Sequence, residues 1–408
     1  MERIVFLLII GVILFGYLLN RLLDYLNATR WSNILPAELT GIINDDDYRR
    51  SQNYAKENRK LEFYQSTLAL LITLAMIILG GFAAVDHWAQ GTATNSIFIG
   101  LLFFGVIGFA SDLLSRPFDI YDTFVIEEKY GFNKTTPRLY FFDMLKGWLL
   151  SVTIGGGMLA LIIWFYSAAG TMFWVYAWIL AGVVLIFFTM FYATLITPLF
   201  NKQIPLPEGE LRTAIEKFCA SAGFRLENIF VIDGSKRSTK ANAYFTGLGH
   251  KKRIVLYDTL INDLSTAEIV AVLAHEIGHF RLRHTLSALV LSLVNTGITL
   301  FIFSLFVNFP VLSHAMGSTV HSFHMGLLVF TVLYSPVSLI TGLAGNVISR
   351  RNEFAADRFA KEHGQASALN NALRKLSVKN LSNLRPHPWY VFFHYSHPPL
   401  LQRLKALI

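Results

Sequence analysis

Seven stretches of this 408-residue chain, near 4–21, 63–85, 96–112, 148–168, 172–198, 285–308 and 325–348, are apolar over a membrane-crossing length. A helix needs about 20 such residues to cross a bilayer. Inside lipid every backbone N–H and C=O must find a partner within the protein, so stretches this long and apolar fold as helices. The chain is 53% hydrophobic and only 15% charged, where soluble domains carry roughly 25% charged residues. The fourth and fifth stretches are separated by a very short turn near Ala169–Gly170.

Basic residues orient these spans. Beyond Arg3, every Lys and Arg falls within 21–62, 112–147, 199–284 or 349–408, and the connections 86–95, 169–171 and 309–324 carry none. Seven spans put all four basic segments on one side, which the positive-inside rule makes cytoplasmic, with the N-terminus outside and the C-terminus inside. The net charge of +8 then reflects topology and attraction to anionic lipid headgroups. No DNA or RNA recognition motif accompanies it, so nucleic acid is not an expected partner. The first span lacks a small-residue cleavage site and runs into Asn20–Asp24, as a retained anchor does. The sole cysteine, Cys219, excludes an internal disulfide and a four-thiolate metal site. Its spacing from Leu211, Ile215 and Phe218 predicts a packed helix face.

The polar segment 21–62, with Asn44-Asp45-Asp46-Asp47 inside it, reads as a solvated cytoplasmic helix pair. The clearest soluble fold signal lies in 205–284. A helix near 207–222 precedes the apolar run 228–232, and 241–246 and 253–257 look like two more strands across the turn Gly247–His250. Ser265-Thr266 before Glu268 suits a helix cap. A three-stranded sheet is therefore expected to lead into the next helix.

That helix carries His275-Glu276-Ile277-Gly278-His279. Imidazoles four residues apart share one helix face, so both can reach one Zn²⁺, and Glu276 can reach water beside it. A catalytic zinc site usually has three protein ligands and leaves one position open. Glu353, in Glu353-Phe354-Ala355-Ala356-Asp357, is the best third candidate. His279 shortly precedes the sixth span and Glu353 shortly follows the seventh, and an antiparallel pair brings those ends together at the cytoplasmic face. The competing reading of Glu353 is a surface carboxylate beside Arg350 and Arg351. Asp357, one turn on, could accept the second N–H of a zinc-bound imidazole, or form a surface ion pair with Arg358 or Lys361.

This set implies hydrolysis. Zinc acidifies water and polarises a carbonyl, while Glu276 would take the proton and deliver it to a leaving amine. The oxyanion then needs a further donor. His397, stiffened by Pro398 and Pro399, is the choice, with a structural histidine as the alternative. His284, His314, His321 and His324 are left as non-catalytic, and His250 as a solvated turn residue.

With these motifs and spans in this order, the chain resembles the type I CAAX prenyl endopeptidases, integral-membrane zinc metalloproteases of the gluzincin kind. Phe124–Thr136, Gly234–Arg237, Asn242–Phe245 and His394–Pro399 add to the resemblance, which covers essentially the whole chain. It implies that His275, His279 and Glu353 bind one Zn²⁺ and that Glu276 is the base. It implies a mainly α fold in which seven transmembrane helices enclose a chamber, beside a small cytoplasmic α+β metalloprotease domain. The division would fall at 1–198 and 199–408. Substrates would be prenylated Cys-a-a-X tails losing three residues, and Asn242, Ala243 and Tyr244 would form the edge on which peptide aligns. Short linkers and no dilysine signal at Leu407–Ile408 suit a bacterial or archaeal member. In such a cell, membrane-protein quality control of the HtpX type becomes the alternative function. A seven-span transporter or receptor is remote, because the spans hold almost no ionisable residues.

Overall fold

The computed structural model describes residues 1–224, 228–246 and 253–408 and is mainly helical. Among the described residues, six helices are long and apolar enough to cross a membrane: Glu2–Ala28, Asp45–Ile78, Ser96–Glu127, Pro137–Phe200, His284–Phe306 and Phe323–Glu362. At 1.5 Å per residue the 64 residues of Pro137–Phe200 would extend about 96 Å, some three times a bilayer's apolar core. The chain instead breaks at Gly170, where φ is +54°, and Gly157–Ala169 packs against Phe173–Leu195.

Two expectations about the N-terminal half are corrected. The charged stretch after Asn44 is not a helix separate from the span that follows. It is the first part of one 34-residue helix, Asp45–Ile78. Asn44 Oδ1 accepts from the Asp47 N–H at 2.8 Å, and three aspartates stand in the first turn, where the helix dipole favours negative charge. The span expected over 63–85 is also interrupted. Gly80 adopts a left-handed φ of +70° and separates that helix from Gly81–Thr92, a break that hydropathy cannot register.

Among the described residues the sheet has four strands rather than three: β1 Gln203–Pro205, β2 Asn228–Ile232, β3 Ala243–Thr246 and β4 Arg253–Tyr257. Their order is β1-β2-β4-β3, with β2 and β4 parallel and the outer pairs antiparallel. The turn expected at Gly247–His250 lies outside the described residues. In central β4, Ile254, Val255 and Leu256 are all buried, as expected of a strand covered on both faces. β3 lies at an edge of the sheet. A core including Ile215, Phe218, Cys219, Ile254, Leu256, Ile269, Leu273 and Leu369 joins the sheet to the helices around it.

Through this core runs the helix Thr266–Arg281, opened by a complete capping box between Ser265 and Glu268. It ends against Arg283, which sits in the left-handed region at φ +57°, and His284–Phe306 starts immediately after. The 40-residue helix Phe323–Glu362 continues unbroken past the apolar stretch to Glu353 and Asp357.

Candidate metal centre

Helical spacing turns both imidazoles toward the long helix. His275 Nε2 and His279 Nε2 stand 3.2 Å apart. The carboxylate of Glu353 lies 3.4 Å from the first and 3.3 Å from the second. Tetrahedral zinc with bonds of about 2.0–2.1 Å requires donor pairs about 3.3–3.4 Å apart, so the spacing of these three groups fits zinc. Glu353 is buried, and its carboxylate meets only cationic or imidazole groups, His275, His279, His397 and Arg403, as suits a carboxylate meant for a cation. His275, His279 and Glu353 are the one such donor cluster among the described residues.

The two helices approach this closely because of Gly278. A Cβ there would lie 3.1 Å from Phe359 Cβ and 3.2 Å from the Ala356 backbone. Gly278→Ala is expected to push the Glu353 helix outward, costing about 1–3 kcal/mol. The loss is read as a lower unfolding temperature in detergent, together with weaker zinc retention.

The groups behind the donors are also in place. Asp357, 1% exposed, meets His275 Nδ1 at 2.8 Å. It is not the surface partner of Arg358 or Lys361. Arg403, from the helix Leu400–Leu407, donates to both its oxygens at 2.9 and 2.6 Å. Burial alone would lower the His275 pKa, but hydrogen bonds to Asp357 and Glu353 raise it to about 9. A metal held at Nε2 would therefore displace a proton. Burial would raise Glu353, yet the two imidazoles hold it well below the usual carboxylate range. Glu276 goes the other way, raised by burial, the direction that suits a base near neutral pH.

His397 Nε2 comes within 3.2 Å of Glu353 Oε1, with its side chain 64% exposed. A cavity of about 1080 Å³ is lined by Glu276, His275, His279, Glu353, His397, Asn242 and Ala243 and reaches the membrane helices at Leu185, Leu289 and Gly345. Tyr244 does not line it. That side chain bonds Thr197, and its ring lies 6.4 Å from Tyr257. His324 instead pairs with Asp86 at 2.6 Å, at the opposite end of the Glu353 helix.

Two residues here escaped sequence reasoning. Arg403 is a lone cation between Leu400 and Leu404 on a short helix, without a distinguishing signal. His284 Nδ1 lies 3.0 Å from His279 Nδ1. Five residues apart on an unbroken helix they would point apart, and only the left-handed Arg283 turns His284 back.

The first part of the chain, residues 24–202, matches the family model described as CAAX prenyl protease N-terminal, five membrane helices. Residues 205–408 match peptidase family M48. A CAAX prenyl protease 1 homolog from Oryza sativa subsp. japonica is 39% identical over 389 residues, covering 91% of this chain and 90% of the relative. CAAX prenyl protease 1 of Saccharomyces cerevisiae is 36% identical over 421 residues, covering 96% and 91%. The crystal structure of S. mikatae Ste24p superposes with a TM-score of 0.93 at 34% identity over 99% of both chains. These relatives are eukaryotic and of similar length, so the expected bacterial or archaeal source finds no support, and short linkers do not mark one. The chain belongs to the CAAX prenyl protease branch of peptidase family M48 and is an integral-membrane zinc metalloendopeptidase.

Proposed function

We propose that this protease trims the C-termini of prenylated CAAX proteins by three residues, with one zinc held by His275, His279 and Glu353. The observation carrying the reading is the convergence of these donors, 3.2–3.4 Å apart, beside Glu276 in a cavity that also exposes Asn242 and Ala243. Bound zinc supplies a Lewis acid and water of lowered pKa. Glu276 accepts the proton of the attacking water and returns it to the leaving amine. His397 donates toward the developing oxyanion. The peptide pairs with β3 through main-chain hydrogen bonds, which recognise an extended chain without demanding a sequence.

Asp357 keeps His275 in the tautomer with Nε2 free, and Arg403 holds Asp357 in place. Asp357→Asn is expected to weaken zinc binding about 10–100-fold, read by competition with a chelator dye. In the membrane, the doubling back at Gly170 makes seven spans of the six long helices. These enclose a chamber, place the N-terminus outside and leave the zinc site and C-terminus cytoplasmic. The chain divides at 198/199 into a membrane module and a metalloprotease module.

Purified protein given a farnesylated CAAX peptide should release the terminal tripeptide. Cleavage of unprenylated helical peptides with none of the CAAX substrate would move the function to membrane-protein quality control.

A further inference from the structure

The stretch Phe124–Thr136 has no part in the chemistry above, yet the structure ties it to the peptide-aligning edge. The helix from Ser96 ends in a wide π turn, Asp122–Glu127, a form that often marks functional positions. Its last residue, Glu127, receives Lys240. The ammonium lies 3.0 and 2.9 Å from the two carboxylate oxygens and 2.9 Å from the Tyr54 hydroxyl, which itself donates to Glu127. The same ammonium sits 4.5 Å from the Phe132 ring centre and 5.2 Å from that of Tyr54. Lys240 thus has an acceptor for each of its three N–H donors and aromatic faces around it. An exposed surface ion pair would contribute about 0–1 kcal/mol and little order. This cluster instead joins segments 113 residues apart.

The backbone around it changes partners at the same residue. Upstream of Lys240 it bonds to the membrane module: Thr239 N–H donates to Phe132 O at 3.0 Å, Lys134 N–H to Arg237 O at 2.9 Å, and Asn133 bridges Ser238. From Lys240 on it bonds to the metalloprotease module. Lys240 O accepts from Thr259 Oγ1 at 3.1 Å, and Asn242 O from Tyr257 N–H at 3.1 Å. Asn242 and Ala243, two and three residues later, line the cavity.

We infer that Lys240, held by Glu127 and Tyr54, is a positioning residue that sets where the edge at Asn242 and Ala243 stands relative to His275 and Glu276. The membrane module thereby fixes the register of the bound peptide. The inference rests on the reading that substrate pairs with this edge.

The test uses the full-length protein in detergent. Lys240→Met keeps the side-chain length and removes the charge, Lys240→Arg restores a cation, and Tyr54→Phe removes one acceptor. The readouts are kcat and KM on a farnesylated CAAX peptide, zinc content, and Kd for that peptide in a Glu276→Gln background. Lys240→Met is expected to raise KM and Kd about tenfold, with kcat within about twofold and zinc unchanged. Lys240→Arg should recover most of the loss, and Tyr54→Phe should show a smaller rise in KM. Unchanged KM and Kd in Lys240→Met overturn the inference. So does a fall in zinc content and thermal stability with KM unmoved, which would make the cluster a fold support only. If Lys240→Met does not fold, Tyr54→Phe carries the decision by the same criterion. A wild-type enzyme that ignores the farnesylated peptide removes the substrate reading alone, and the KM ratio is then taken on an unprenylated peptide that it cleaves.

Discussion

Glu276→Gln is expected to lower kcat by about 10²–10⁴-fold, the usual contribution of a positioned general base, while the protein keeps its zinc. The glutamine preserves the side chain's shape but cannot accept a proton at neutral pH. Glu276 is not part of the donor set of His275, His279 and Glu353, so zinc content should not change. KM should move little, because the lost interaction acts in the transition state. The check is steady-state cleavage of a farnesylated CAAX peptide with zinc measured on the same sample. A variant of full activity would remove Glu276 from the mechanism, and one that lost its zinc would place it among the ligands.

Glu353→Ala should abolish activity by a different route, through loss of the metal. Groups outside the ligand set typically change metal affinity by about 10–100-fold, and removing a ligand should exceed that. The variant also separates metal loss from misfolding. Truncation also removes the contacts that Glu353 makes in the zinc-free fold to His275, His279, His397 and Arg403. Asp357 retains both contacts to Arg403. The variant should therefore unfold somewhat below chelator-stripped wild type and further below zinc-loaded wild type, since a ligand bound only to the native state stabilises it. Unfolding far below the stripped wild type would make Glu353 a structural residue instead.

Much of this site was legible because its signals are local or topological. The pairing of His275 with His279 follows from helical period alone. Glu353 came from counting spans, since two helices joined on the far side of a membrane must return together. Asp357 followed from one further helical turn. What was hidden depends on backbone geometry or distant packing. Gly80 breaks a helix within a run that stays apolar on both sides. Strand β1 is three residues long and ends in Pro205, too short for alternation to show. His284 reaches His279 only because Arg283 adopts φ +57°, and Arg403 arrives from the last helix of the chain. Tyr244 belongs to the same strand as Ala243, yet strand alternation sends its side chain to the other face. Asn242 and Ala243 line the cavity and Tyr244 does not.

A single zinc centre is tested most directly by titrating zinc back into chelator-stripped protein while following cleavage of a farnesylated CAAX peptide. Activity should be absent at the start, rise linearly and stop at one zinc per chain. Activity that survives stripping, or that continues to rise to two equivalents, would contradict a single centre built from His275, His279 and Glu353.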